Sequence, residues 1–160
     1  MTRGDAAEEN FRRGYNCSQA VLLAFADLTG LDEGALLRVS VPFGGGVGRM
    51  RHICGTVSGM LMAAGLIFYD PAHVTNAQKS AMYARVQELV ARFRARNGSY
   101  ICSELLSGAG LKVSSGPAAE ERTADYYKKR PCPKLCRMAA EILEEYLREE
   151  GVPGAAPAEE

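Results

Sequence analysis

The sequence predicts an all-α fold, a single-domain bundle of about six helices whose N-termini converge on a cysteine cluster. Three observations carry this expectation. Apolar residues recur at helical spacing along the chain, and no alternating β-pattern appears beyond the short run Arg38 to Phe43. Cys17, Cys54, Cys102 and Cys132 each fall at, or within about one turn of, a predicted helix start. The chain has 160 residues, 47% hydrophobic and 24% charged, enough to bury one core without a staple.

Asp5 to Arg13 reads as a short polar helix closed by Gly14, with Phe11 as its inward anchor. Asn16 then fits an N-cap and Gln19 its reciprocal capping-box position, so a second helix is expected from Cys17 to near Gly30. Asp32 and Glu33 open a third over Gly34 to Ser40, which Pro42 and the following glycines terminate. After the turn, Val57, Met60, Leu61, Ala64 and Phe68 mark a buried face, and Gly55, Gly59 and Ala63 form a smooth ridge on another. Glycine inside a helix costs about 1 kcal/mol relative to alanine, so the ridge implies close packing of a second backbone.

Thr75 to Arg96 is expected as a long amphipathic helix carrying Ala81, Met82, Val86, Leu89, Val90 and Phe93. Arg92, Arg94 and Arg96 in its last turns are assigned to a solvated face. A short helix should start around Ser99 to Cys102, another over Ala118 to Lys129, and the last from Pro133 to about Glu149, with Leu135, Met138, Ala139, Ile142, Leu143 and Tyr146 as its core stripe. Residues 1–150 make one helical domain, and residues 151–160 a flexible tail.

Lys plus Arg equals Asp plus Glu at 19 each, so no net field recruits nucleic acid. The longest uncharged run, Ile53 to Tyr69, is shorter than the roughly 20 apolar residues of a spanning helix, so no membrane insertion is expected. The acidic residues near Met1 argue against export, which leaves a cytoplasmic protein. In that reducing setting five widely spaced cysteines, Cys17, Cys54, Cys102, Cys132 and Cys136, point to thiol chemistry or metal ligation rather than to structural disulfides. A helix start offers unpaired N–H groups and partial positive charge, both of which favour thiolate. Thiolates suit a soft metal ion or an iron–sulfur centre. Neither a zinc knuckle nor a C-x-x-C pair is present; the one close pair, Cys132 and Cys136, is a C-x₃-C. Gly44 to Gly48 lacks both nucleotide-loop patterns and reads either as a tight turn packed beneath the cysteines or as an anion nest aided by Arg49 and Arg51. His52 and His73 could each serve as a base or a ligand, but for a lone histidine a structural or surface role is favoured.

The blocks Tyr15 to Val21, Cys54-Gly55-Thr56-Val57-Ser58-Gly59 after its glycine turn, Cys102 to Leu106, and Cys132-Pro133-Lys134-Leu135 together resemble the redox-active family named C_GCAxxG_C_C. The resemblance spans about Glu8 to Arg148 and implies redox activity by Cys17, Cys54, Cys102 and Cys132, with Gly55 and Gly59 as motif glycines at the cofactor site. Two departures stand out. Ile53 precedes Cys54 and Gly55-Thr56 follows it, where the family name has glycine before and alanine after. Cys136 is an additional thiol, able to replace Cys132 as fourth ligand or to pair with it.

The leading expectation is a redox protein whose cysteines hold an iron–sulfur cluster or other thiolate-bound metal for electron transfer with a redox partner. An alternative is a thiol–disulfide oxidoreductase in which Cys54 attacks and Cys102 resolves. A further alternative is a non-catalytic helical interaction module, with the Gly55/Gly59 ridge and the arginine-bearing helix forming a homo-oligomer or partner surface.

Overall fold

The C-terminal apolar stripe of the sequence builds the axis around which the other helices gather. In the computed structural model, which describes residues 1–157, the final helix buries Leu135, Ala139, Ile142, Leu143 and Tyr146 as its spacing requires, with Cys136, Ala140 and Leu147 beside them. Each large aliphatic side chain buried this way stabilises by about 1.5–3 kcal/mol. Nine helices and no strand are found among the described residues: α1 (Arg3–Arg12), α2 (Cys17–Leu23), α3 (Ala26–Thr29), α4 (Glu33–Ser40), α5 (Gly55–Phe68), α6 (Asn76–Asn97), α7 (Cys102–Gly108), α8 (Ala124–Lys129) and α9 (Cys132–Glu149). The fold is all-α, as expected, with more and shorter helices than six. Arg38 to Phe43, the one β-like run, ends α4 and continues as a 3₁₀ turn over Val41–Phe43.

Helix α1 lies along α9, with Phe11 buried between them and α8 and with Arg137 paired to Asp5 and Glu8 at 2.6 Å each. Gly4 permits this approach, since a Cβ there would lie 2.8 Å from Glu141 Cγ. Helix α5 crosses α2 through Gly59, whose Cβ would stand 2.5 Å from the Ser18 carbonyl oxygen. The expected ridge therefore packs within the chain: Gly55, Gly59 and Ala63 are all buried, and they offer no oligomer surface.

Three expectations are corrected. The second helix stops at Leu23 instead of running to Gly30, because the buried Arg3 guanidinium takes the Ala24 carbonyl at 2.7 Å and frees the chain to turn into α3. The helix expected over Ala118 to Lys129 begins only at Ala124, capped by Thr123, because Arg49 holds the Gly116 and Ala118 carbonyls in an irregular segment. Finally, the tail is partly anchored: Arg3 donates to the Gly154 and Ala155 carbonyls at 2.7 and 3.0 Å, and Ala155 is buried. Residues 158–160 of that expected tail lie outside the described residues.

Helix α6 buries only Leu89 and Phe93, while Ala81 is exposed and Met82, Val86 and Val90 are half-buried. Two of the arginines assigned to solvent pair across to α9, Arg92 with Glu149 at 2.7 Å and Arg96 with Glu145 at 3.2 Å. Such exposed pairs contribute at most about 1 kcal/mol each. No helix among the described residues is long and apolar enough to cross a membrane.

Candidate redox site

Four local sequence features put a sulfur at a helix start. Asn16 caps α2 through the predicted box, accepting from the Gln19 N–H at 3.0 Å while Gln19 Oε1 accepts from the Asn16 N–H at 3.0 Å, and Cys17 is the first residue of that helix. Cys54 is the N-cap of α5, Cys102 opens α7, and Cys132 opens α9 with Pro133 in its first turn. A lone antiparallel bridge, Ile53 to Ile101, ties two of these starts together. The Cys54 N–H donates to the Tyr100 carbonyl at 2.8 Å and the Cys102 N–H to the His52 carbonyl at 2.6 Å, so the two cysteines sit diagonally across one backbone crossing.

The glycine turn supplies the floor. Gly45, Gly46, Val47, Gly48, Arg49 and Arg51 all have φ between 56° and 70°, a left-handed run that costs a non-glycine residue about 1–3 kcal/mol. The N–H groups of Gly48, Arg49, Arg51 and His52 return to the carbonyls of Pro42, Gly44, Gly45 and Gly46 at 2.8–3.3 Å. Those four donors are spent inside the turn, which makes it tight, while the Gly45 N–H faces Cys17. A Cβ at Gly46 would lie 2.6 Å from Cys102 Cβ, and one at Gly55 2.2 Å from Cys17 Sγ, so the turn and α5 press directly against the cysteines.

Cys17, Cys54, Cys102 and Cys132 all border one cavity of about 410 Å³. Gly55 lines it as well, whereas Gly59 packs behind it on α2. Cys136 is not among the lining residues; it is fully buried one turn further along α9, with its thiol 3.9 Å from the Cys17 carbonyl. His52 and His73 are exposed, and neither borders the cavity. All five cysteines are free thiols.

Electrostatics divides the site into a protonated floor and a cationic mouth. Burial pushes up the thiols of Cys17, Cys54 and Cys136, with neighbouring cysteines adding to the effect, and raises Cys132 to about 12 by the same causes. Cys17 and Cys132 are half-buried where they border the cavity. Opposing burial, backbone N–H groups of Gly45 and Ser18 act on Cys17, and Thr56 Oγ1 stands 3.1 Å from Cys54 Sγ. Arg51 brings a guanidinium to 3.7 Å from Cys102 Sγ.

The sequence matches the family described as "Putative redox-active protein (C_GCAxxG_C_C)" over residues 15–146. The chain belongs to the C_GCAxxG_C_C family. Neither a search of curated proteins nor one of solved structures finds a match to it. In this C_GCAxxG_C_C protein the matched region runs from just before Cys17 to beyond Cys136 and thus includes every cysteine and all of the cavity wall except Phe11.

The site residues that the sequence did not disclose are polar. Thr56, Glu120, Arg122 and Arg130 border the cavity together with Arg49 and Arg51. Only Arg49 and Arg51, flanking a glycine turn, carried a signal; Glu120 and Arg122 lie in an irregular segment with no periodicity to place them.

Proposed function

We propose that this protein is an electron-transfer protein in which Cys17, Cys54, Cys102 and Cys132 hold an iron–sulfur cluster. The observation that carries this reading is the meeting of four thiols, each from a different helix start, on the wall of one cavity. No three His, Cys, Asp or Glu side chains among the described residues are grouped so as to hold a metal ion, which disfavours a single ion in a closed tetrahedral shell. A cluster has a larger body and takes four thiolates around it, and the donor set suits that need. Helix-start N–H groups and the guanidinium groups of Arg49, Arg51, Arg122 and Arg130 offset the negative charge that four thiolates bring. A bound cluster supplies a one-electron carrier; the chain supplies the four sulfurs, the largely apolar wall and the cationic mouth. Expression and purification without air, followed by iron and acid-labile sulfide analysis, tests the reading. Stoichiometric iron and sulfide are expected, and a colourless, metal-free protein that cannot be reconstituted would overturn it.

A second reading rests on the Ile53–Ile101 bridge, which puts Cys54 and Cys102 diagonally opposite each other as free thiols. In that case an incoming disulfide takes two electrons and two protons, leaving as two thiols while Cys54 and Cys102 form a disulfide. Mass spectrometry of the metal-free protein after exposure to a small disulfide distinguishes it: a reversible Cys54–Cys102 link supports this reading, and two unlinked thiols count against it.

A further inference from the structure

Three guanidinium groups converge on a single carboxylate at the mouth of the cavity. Arg49 and Arg51 leave the left-handed turn to reach Glu120 Oε1 at 3.4 and 3.7 Å, and Arg130, at the end of α8, hydrogen-bonds the same oxygen. The three side chains retain 17%, 8% and 10% of their exposure, whereas Glu120 retains 38%. The cations are thus built into the wall and the carboxylate covers them from the solvent side. Including Arg122, the charged residues lining the cavity are four arginines and one glutamate, an excess of three positive charges in a chain whose totals balance at 19 each.

Glu120 is the most solvent-exposed member of this group. It lies in the irregular segment between α7 and α8, which is held to the turn by side chains: Arg51 donates to the Ser114 carbonyl at 2.8 Å, and Arg49 to the carbonyls of Gly116 and Ala118. Arginine presents a planar fork of donors that fits oxyanions and carboxylates, and three such forks exceed what one carboxylate can satisfy. Their proximity to Glu120 holds its carboxyl below the usual range, with Arg130 the largest influence, so it remains an anion at neutral pH.

We propose that the mouth of this cavity is a binding site for a small oxyanion or carboxylate, in which Glu120 occupies the place the ligand takes. Arg51 contacts both Glu120 and Cys102 Sγ, so a ligand held there lies beside the thiol wall, where an anionic redox substrate needs to be. The inference rests on the function proposed above only in using the same cavity.

The test is a titration of the full-length, metal-free chain with sodium sulfate, followed by NMR through the Nε–Hε signals of Arg49, Arg51 and Arg130, against sodium chloride at equal ionic strength. Disodium succinate in a parallel titration separates a tetrahedral oxyanion from a carboxylate. Saturable shifts of these three signals with sulfate or succinate, and not with chloride, are expected. Glu120→Gln removes the competing charge and should tighten binding by about tenfold or more, while Arg130→Lys, which keeps the charge and loses the fork, should weaken it by about tenfold. Shifts that do not saturate, or an affinity indifferent to both substitutions, would overturn the proposal. Because no cluster is needed, this outcome is independent of iron binding.

Discussion

A single methyl group at Gly59 should cost stability even though it improves the helix. In Gly59→Ala the new Cβ would lie 2.5 Å from the Ser18 carbonyl oxygen and 3.2 Å from Val21 Cβ. The first of these is backbone, so no rotamer change relieves it, and α5 must move off α2 until the contact passes 3.0 Å. Overpacking of this kind costs about 1–3 kcal/mol, and the gain in helix propensity returns about 1 kcal/mol. Because the obstacle is backbone, the upper half of that cost applies, and a net loss of about 1–2 kcal/mol follows. Gly65, six residues on in the same helix, has nothing within 4 Å of its would-be Cβ, so Gly65→Ala should stabilise by about 0.5–1 kcal/mol. Urea unfolding of the reduced, metal-free protein, followed by far-UV circular dichroism, reads both. The two substitutions should move the midpoint in opposite directions, and a Gly59→Ala protein at least as stable as the wild type would refute the packing argument. Gly59→Leu should lose more and also displace Cys17, which α2 carries.

Other outcomes follow from the same geometry. Gly55→Ala sets a Cβ 2.2 Å from Cys17 Sγ and should change the Cys17 alkylation rate severalfold in the metal-free protein, measured by mass spectrometry; an unchanged rate would mean that the contact constrains nothing. Arg3→Ala leaves the Ala24, Gly154 and Ala155 carbonyls without their buried charged donor and should cost about 3–5 kcal/mol in urea unfolding, whereas a loss under about 1 kcal/mol would count against the anchoring role. Alkaline pH should destabilise the metal-free protein. Cys132 is raised from an ordinary 9.0 to about 12, so the unfolded chain releases this proton first; stability is complete below pH 9 and falls by about 4 kcal/mol as pH rises through 12. Cys17, Cys54 and Cys136 act in the same direction. Urea midpoints between pH 7 and 11 should decline, with a shallower slope in Cys132→Ser; a flat wild-type profile would show that the thiols are not held protonated.

Features that depend on neighbouring residues were legible in the sequence. Asn16 and Gln19 announced their capping box, Pro133 the start of the last helix, and the spacing from Leu135 to Tyr146 its buried face. The glycines at 55 and 59 likewise signalled close approach, because helical glycine is costly unless a second backbone needs the space. What stayed hidden depends on contacts distant in sequence. The break after Leu23 is made by Arg3, and the delayed start of α8 by Arg49, whose partners lie 67 and 69 residues away. The same holds for Cys136: by spacing it was as eligible as Cys132, and only the direction each takes from α9 separates a residue on the cavity wall from one in the core.

That separation gives the central claim its most direct measurement. Each cysteine is replaced singly by serine, Cys136 also by alanine, and iron and acid-labile sulfide are determined per chain after anaerobic reconstitution, with circular dichroism confirming the fold. Loss of cluster from Cys17→Ser, Cys54→Ser, Cys102→Ser and Cys132→Ser, with retention in Cys136→Ala, is the predicted result. Retention in any of the first four, or loss only with Cys136 replaced, would contradict the assignment of the cavity as the redox site.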